Sequence, residues 1–118
     1  MTRCDLQKEA KKKGRHWATA KGFDRSAPCS DLHKVEKVGH IERGKITLSV
    51  NGEIRQQGDI SDMIWSVAEV ISSLSSFFEL CPRDLIFTGT PAGIDPLVCG
   101  DLLKGEAENL ATLNIRVV

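Results

Sequence analysis

An Asn51-Gly52 pair stands between Lys45–Val50 and Glu53–Gln57, and no other dipeptide in the chain leaves the backbone so little choice. A two-residue loop between antiparallel strands needs positive φ at its central positions, which asparagine and glycine reach with the least strain. Ile46, Leu48 and Val50 alternate with polar residues, so the strand entering the turn has one apolar face, and Glu53-Ile54-Arg55-Gln56-Gln57 returns as its partner. Past the Gly100-Asp101 turn, Leu113, Ile115 and Val117 alternate in the same way and are expected to pair with residues near 102 to 108. Between these pairs, Ser61 or Asp59 is placed to cap a long helix over 61 to 79, along which Ile64, Val67, Ala68, Ile71, Leu74 and Phe78 recur at helical spacing. The stripe reads as core-facing, so Ile71→Asp is expected to unfold the domain. Residues 2 to 16 hold good helix formers up to a Gly14 stop, and Cys29 to Gly44 reads as a charged surface loop. The layout is α+β, mainly β, with antiparallel pairing and one long helix.

Length and charge narrow the classes of function. A chain of 118 residues makes one small domain. Lys+Arg and Asp+Glu both number 16, so the basic excess of a nucleic-acid binder is missing. No apolar run approaches membrane-spanning length and the first residues are polar, which points to a soluble, cytoplasmic protein without a membrane partner. Cys4, Cys29, Cys81 and Cys99 are irregularly spaced, and His16, His33 and His40 do not flank them at zinc-site intervals, so free thiols are expected.

Two stretches carry possible chemistry. Phe87-Thr88-Gly89-Thr90-Pro91-Ala92-Gly93-Ile94 follows an apolar run, Asp84-Leu85-Ile86, that reads as a buried strand. A strand ending in a Gly/Thr turn can offer N–H and hydroxyl groups to an anionic or carbonyl oxygen, although Gly-rich turns are common in structural loops. Lys21 is flanked by Trp17, Ala18, Ala20 and Phe23. Such neighbours can strip water from a lysine and make it a focused cation or proton donor, or the side chain can simply lie over an apolar patch with its head in water. The run Lys11-Lys12-Lys13 reads as a solvated helix face. Phosphate-loop, dinucleotide-binding, nucleophile-elbow and His-Glu-x-x-His motifs are absent, and Asp24, Asp59, Asp62 and Asp95 lack metal-ligand spacing.

Taken in order, Asp5-Leu6-Gln7, Lys21-Gly22-Phe23-Asp24 with Ala27-Pro28, Val50-Asn51-Gly52-Glu53 with Gln56, Ser61-Asp62-Met63-Ile64 and Thr88-Gly89-Thr90-Pro91-Ala92-Gly93 resemble the fumarylacetoacetate hydrolase family. The resemblance runs along nearly the whole chain and is greatest to small bacterial acylpyruvate hydrolases, oxaloacetate decarboxylases and 5-carboxymethyl-2-hydroxymuconate isomerases. It implies a mixed β-sandwich roll, usually dimeric, acting on β-diketo or 2-oxo acids by hydrolysis, decarboxylation or isomerisation through a metal-bound enolate. By the same resemblance Lys21 and Gln7 are the catalytic candidates, stabilising negative charge on the substrate oxygens. The resemblance likewise implies that Thr90, with Gly89 and Pro91, forms a substrate-binding turn.

The resemblance covers only the C-terminal part of the family's catalytic domain. Its Mg²⁺ or Mn²⁺ is held by a Glu-x-Glu pair and a third acid that would all fall before Met1, so no metal ligand is expected within residues 1–118, which read as a single partial domain. Cys4 stands where the family usually has arginine, Asp31 where proline is common, and Arg83 where glycine is common. Three readings follow: a family enzyme with impaired or absent activity alone, a non-catalytic remnant or subunit that needs a partner chain to complete the metal site, or a soluble domain with no ligand.

Overall fold

The computed structural model describes residues 1–118. Four strands, β1 (Lys45–Val50), β2 (Glu53–Asp59), β3 (Leu102–Ala107) and β4 (Leu113–Arg116), form one antiparallel sheet in the order β2-β1-β3-β4. Helices α1 (Cys4–Lys12) and α2 (Ala18–Lys21) pack on each other ahead of the sheet, α3 (Val35–Val38) is a single turn, and α4 (Val67–Ser75) lies between β2 and β3 in the chain. None is long and apolar enough to cross a membrane.

The hairpin forms as its turn chemistry requires. Asn51 and Gly52 take φ of 52° and 86°. The Asn51 side chain then ties the turn to the start of β3: its amide donates to the Asp101 carboxylate at 2.8 Å, and its carbonyl accepts from the Leu102 N–H at 2.9 Å. β1 and β3 pair Val50 with Leu103 and Ile46 with Ala107, which puts Ile46, Leu48, Val50, Leu103 and Ala107 on one face, while Leu102 points to the other. Val50 and Leu103 are two of the three buried residues, and Ala20 of α2 is the third. The β1–β2 register slips between Leu48 and Ser49, whose partners are Gln56 and Ile54. Arg55 is therefore the extra residue of a β-bulge, turned out of the ladder.

Three expectations are corrected. The helix expected over 61 to 79 is two shorter elements. Asp59 caps only one 3₁₀ turn, Ile60–Asp62, and Met63 is extended; a second capping box, Ser66 with Glu69, starts α4. α4 ends early because Ser75 and Ser76 bond back through their hydroxyls to the Ser72 carbonyl, competing with the helical ladder. The apolar stripe of α4 is not core: no residue of the helix is buried, Ile71 is 41% exposed and Phe78 beyond it 63%. Asp84-Leu85-Ile86 is not a buried strand either. No backbone group from Leu85 to Leu97 bonds to another backbone group, and Phe87 is 67% exposed. A strand exists only where a neighbour accepts its hydrogen bonds, and within this chain none lies beside it. The loop over 29 to 44 is surface as expected, apart from α3, and the four cysteines are free and exposed.

Candidate functional site

The α1–α2 unit carries two of the expected site residues. Ala20, fully buried, is the contact that lets the helices meet, and its carbonyl accepts from the Arg3 N–H at 3.0 Å. Arg3 lies over the Phe23 ring, 4.4 Å from its centre, in a cation–π contact. Gln7 is half-buried on α1. Lys21 closes α2 and donates from Nζ to Thr2 Oγ1 at 2.8 Å. The dehydration expected of Lys21 is absent: its side chain is exposed, because Trp17 beside it is itself 45% exposed and covers little. Lys21 lines an open surface groove with Lys11, Arg15, His16 and Trp17. Three cations and an aromatic face in one groove attract carboxylates.

The Thr88–Gly93 turn is held from β2. Gln56 Nε2 donates to Thr90 Oγ1 at 3.0 Å and to the Pro91 carbonyl at 2.7 Å. The Pro91 ring sits over Gly58, where a Cβ would come 3.0 Å from Pro91 Cγ. Gly93, at φ 103°, crosses so close to the Arg55 carbonyl that a Cβ there would overlap it. Arg55 also pairs with Asp95. The bulge thus serves the turn, aiming a carbonyl and a guanidinium at residues 93 and 95. A cavity of about 310 Å³ lies between this turn and the apolar face of the sheet, lined among others by Leu48, Gln56, Thr90, Pro91, Leu110 and Leu113.

Within this chain the expected residues fall into two groups. Lys21 lines the cationic groove, Thr90 and Pro91 line the cavity on the sheet, Gln7 and Gly89 line neither, and no residue lines both. The sequence placed Gln56 only in the returning strand and in a family motif; the bulge at Arg55 sets it opposite Leu48, on the apolar face, and an unbulged register could not aim it at residue 90. Arg15 was also missed, since one more charge after a lysine run carries no local mark.

Electrostatics around the scaffold are set by hydrogen bonds. Ser61, through its hydroxyl and its N–H, holds the Asp59 carboxyl below its ordinary range, with help from the Gly44 N–H. Ser66 does the same for Glu69, and the Val98 N–H, then the Asn51 amide, for Asp101. None of these acids joins others in a metal-binding set: no group of three or more His, Cys, Asp or Glu side chains is placed to hold an ion. The donors of this chain therefore do not fit Mg²⁺ or Mn²⁺ by themselves.

Comparison with known proteins gives this geometry a context. The family profile described as fumarylacetoacetate (FAA) hydrolase C-terminal matches residues 1–118. A fumarylpyruvate hydrolase from a Ralstonia species is 41% identical over 99% of this chain and 60% of its own length. The mitochondrial oxaloacetate tautomerase FAHD1 of Homo sapiens is 39% identical over 99% of this chain and 53% of its own. The crystal structure of a fumarylpyruvate hydrolase from Pseudomonas aeruginosa, in complex with Mn²⁺ and pyruvate, superposes with a TM-score of 0.97 at 49% identity, covering all of this chain and 51% of that one. The chain thus spans about half the length of the relatives it matches.

Proposed function

Because the chain belongs to the fumarylacetoacetate hydrolase family, we propose that it is the C-terminal part of a catalytic domain acting on a small 2-oxo or β-diketo acid by hydrolysis or tautomerisation. The observation that carries the reading is the superposition of the entire chain on half of an enzyme that holds Mn²⁺ and pyruvate, itself a 2-oxo acid. Both reactions pass through an enolate. Tautomerisation moves a proton between carbon and oxygen. Hydrolysis adds water across a C–C bond, one fragment leaving as a carboxylic acid and the other as an enolate that takes a proton. Each builds negative charge on an oxygen, and fixed donors aimed at that oxygen lower the barrier.

In this proposal Lys21 supplies the cation, Gln7 an amide donor, and Thr90 a hydroxyl, with Gly89 and Pro91 shaping the turn that presents it. Gln56 acts behind Thr90 by fixing its oxygen. Lys11 and Arg15, in the groove with Lys21, draw the anionic substrate in. A divalent metal in this family would polarise the substrate, and its ligands would come from outside these residues, which do not form the set. A second reading, a subunit that is inert until a partner chain completes the metal site, is favoured by that same absence of a ligand cluster.

The test is turnover of fumarylpyruvate and oxaloacetate by this chain joined to the unmatched half of the Pseudomonas aeruginosa relative, with Mn²⁺ present. Lys21→Ala should lower kcat about 10²–10³-fold, the usual effect of losing one oxyanion donor. Lys21→Arg should recover part of it, and both should melt with the parent. Full activity in Lys21→Ala would sink the assignment.

A further inference from the structure

A lysine that stabilises an oxyanion has to be aimed, and nothing packed around Lys21 aims it. Its side chain is exposed in an open groove, and it closes a helix of only four residues, Ala18–Lys21. A free lysine stem is flexible and spreads its charge over many positions, whereas transition-state stabilisation depends on donors fixed beforehand. Lys21 joins none of the chain's ion pairs. Its Nζ makes one hydrogen bond within the chain, to Thr2 Oγ1 at 2.8 Å, from a partner 19 residues away in sequence. The chemistry of that partner suits the task. A carboxylate would hold the ammonium by cancelling its charge. A hydroxyl oxygen engages one N–H of the ammonium and leaves the charge and the remaining donors for another oxygen.

Thr2 is itself held. It is half-buried, and its neighbour Arg3 is fixed from several sides. The Arg3 N–H donates to the Ala20 carbonyl at 3.0 Å, and the Arg3 carbonyl accepts from the Gln7 N–H at 3.0 Å. The Arg3 guanidinium lies 4.4 Å from the centre of the Phe23 ring. Ala20, which precedes Lys21, is fully buried. Residues 2 and 3 thus join the start of α1 to the end of α2, and they seat Gln7 and Lys21 against one short stretch of backbone.

We infer that Thr2 is a positioning residue for the reaction: its hydroxyl holds Lys21 Nζ in the place from which the ammonium stabilises the substrate oxyanion. The inference rests on the role proposed for Lys21. Thr2 acts through Lys21 alone, so removing its hydroxyl lowers the rate of the chemical step and leaves substrate binding and the fold as they were. A tether that served only the packing of α1 on α2 would show the reverse, a loss of stability that does not depend on what stands at position 21.

The test uses the chain joined to the unmatched half of the Pseudomonas aeruginosa relative and has two readouts. The first is the order parameter of the Lys21 ε-methylene from nuclear magnetic relaxation, which needs no turnover. It should drop in Thr2→Val, which keeps the shape and loses the hydroxyl, and stay at the parent value in Thr2→Ser. The second is turnover of fumarylpyruvate with Mn²⁺ present. Thr2→Val should lower kcat about tenfold with KM unchanged, Thr2→Ser should restore most of that loss, and both should melt with the parent. In a Lys21→Ala background Thr2→Val should change kcat by less than about twofold, because the group it positions is gone. Unchanged Lys21 order in Thr2→Val would overturn the inference, as would an equal loss of rate in both backgrounds. A large loss in Lys21→Ala beside full activity in Thr2→Val would remove this inference alone. Full turnover by Lys21→Ala, or none by the parent fusion, would remove the role of Lys21 and this inference with it.

Discussion

Gly93 and Gly89 lie four residues apart in one loop and have nearly the same φ, 103° and 107°, yet alanine should affect them very differently. A Cβ at Gly89 meets nothing within 4 Å. Gly89→Ala therefore adds only the strain of a left-handed φ, of order 1–3 kcal/mol, offset by about 0.4–1 kcal/mol from the stiffer unfolded chain. A Cβ at Gly93 overlaps the Arg55 carbonyl oxygen and stands 3.3 Å from its carbon and 3.4 Å from Gln56 Cγ. Backbone cannot yield as a flexible side-chain tip does, so the loop must lift, at an added cost of about 1–3 kcal/mol for overpacking. Lifting also stretches the two Gln56 bonds to residues 90 and 91, each contributing about 0.5–1.5 kcal/mol. The two variants should thus differ by at least about 1 kcal/mol in urea-unfolding free energy followed by far-UV circular dichroism, with Gly93→Ala the weaker. Double substitution with Gln56→Ala should be less than additive, because the lifted loop has already lost those bonds. Equal destabilisation by Gly89→Ala and Gly93→Ala would refute the close crossing of the loop over the bulge.

Acid should weaken the fold. The Asp59, Glu69 and Asp101 carboxyls sit below their ordinary pKa, so their stabilisation is complete above the usual carboxylate range and fades as pH falls through the lowered folded values. Urea midpoints should be flat from pH 7 to 5 and drop below pH 4, with a shallower drop in Asp101→Asn. Calorimetry of the 118-residue chain alone should give no saturable heat with Mn²⁺ or Mg²⁺, while the complex with the complementary half should bind. Saturable binding by the chain alone would reveal ligands that the structure does not group. Ile71→Asp in the isolated chain should move stability by no more than about 0.5 kcal/mol, the usual range for a surface change, and a larger loss would mean that α4 is already covered.

The features legible in the sequence are those whose physics is local. Asn51-Gly52 sets a hairpin because positive φ is a property of two residues. The Ser66–Glu69 capping box of α4 is equally local, its partners three positions apart, although the apolar spacing from Ile64 points instead to a cap at Ser61 or Asp59. The β3–β4 pair follows from alternation around a short turn, and the ordered motifs from Gln7 to Gly93 carry the family. What only the tertiary structure decided is non-local. The stripe on α4 has the spacing of a core helix, but burial needs a second surface, and periodicity cannot say whether this chain supplies it. Leu85-Ile86 has strand composition, but a strand is made by a neighbour's N–H and C=O groups. Lys21 has apolar neighbours in sequence, but hydration depends on what lies above it in space, and there it is open. Gln56 reaches Thr90 because one bulge residue, Arg55, resets the register of β2. That slip changes which side chain meets the turn, and nothing in the local pattern of polar residues encodes it.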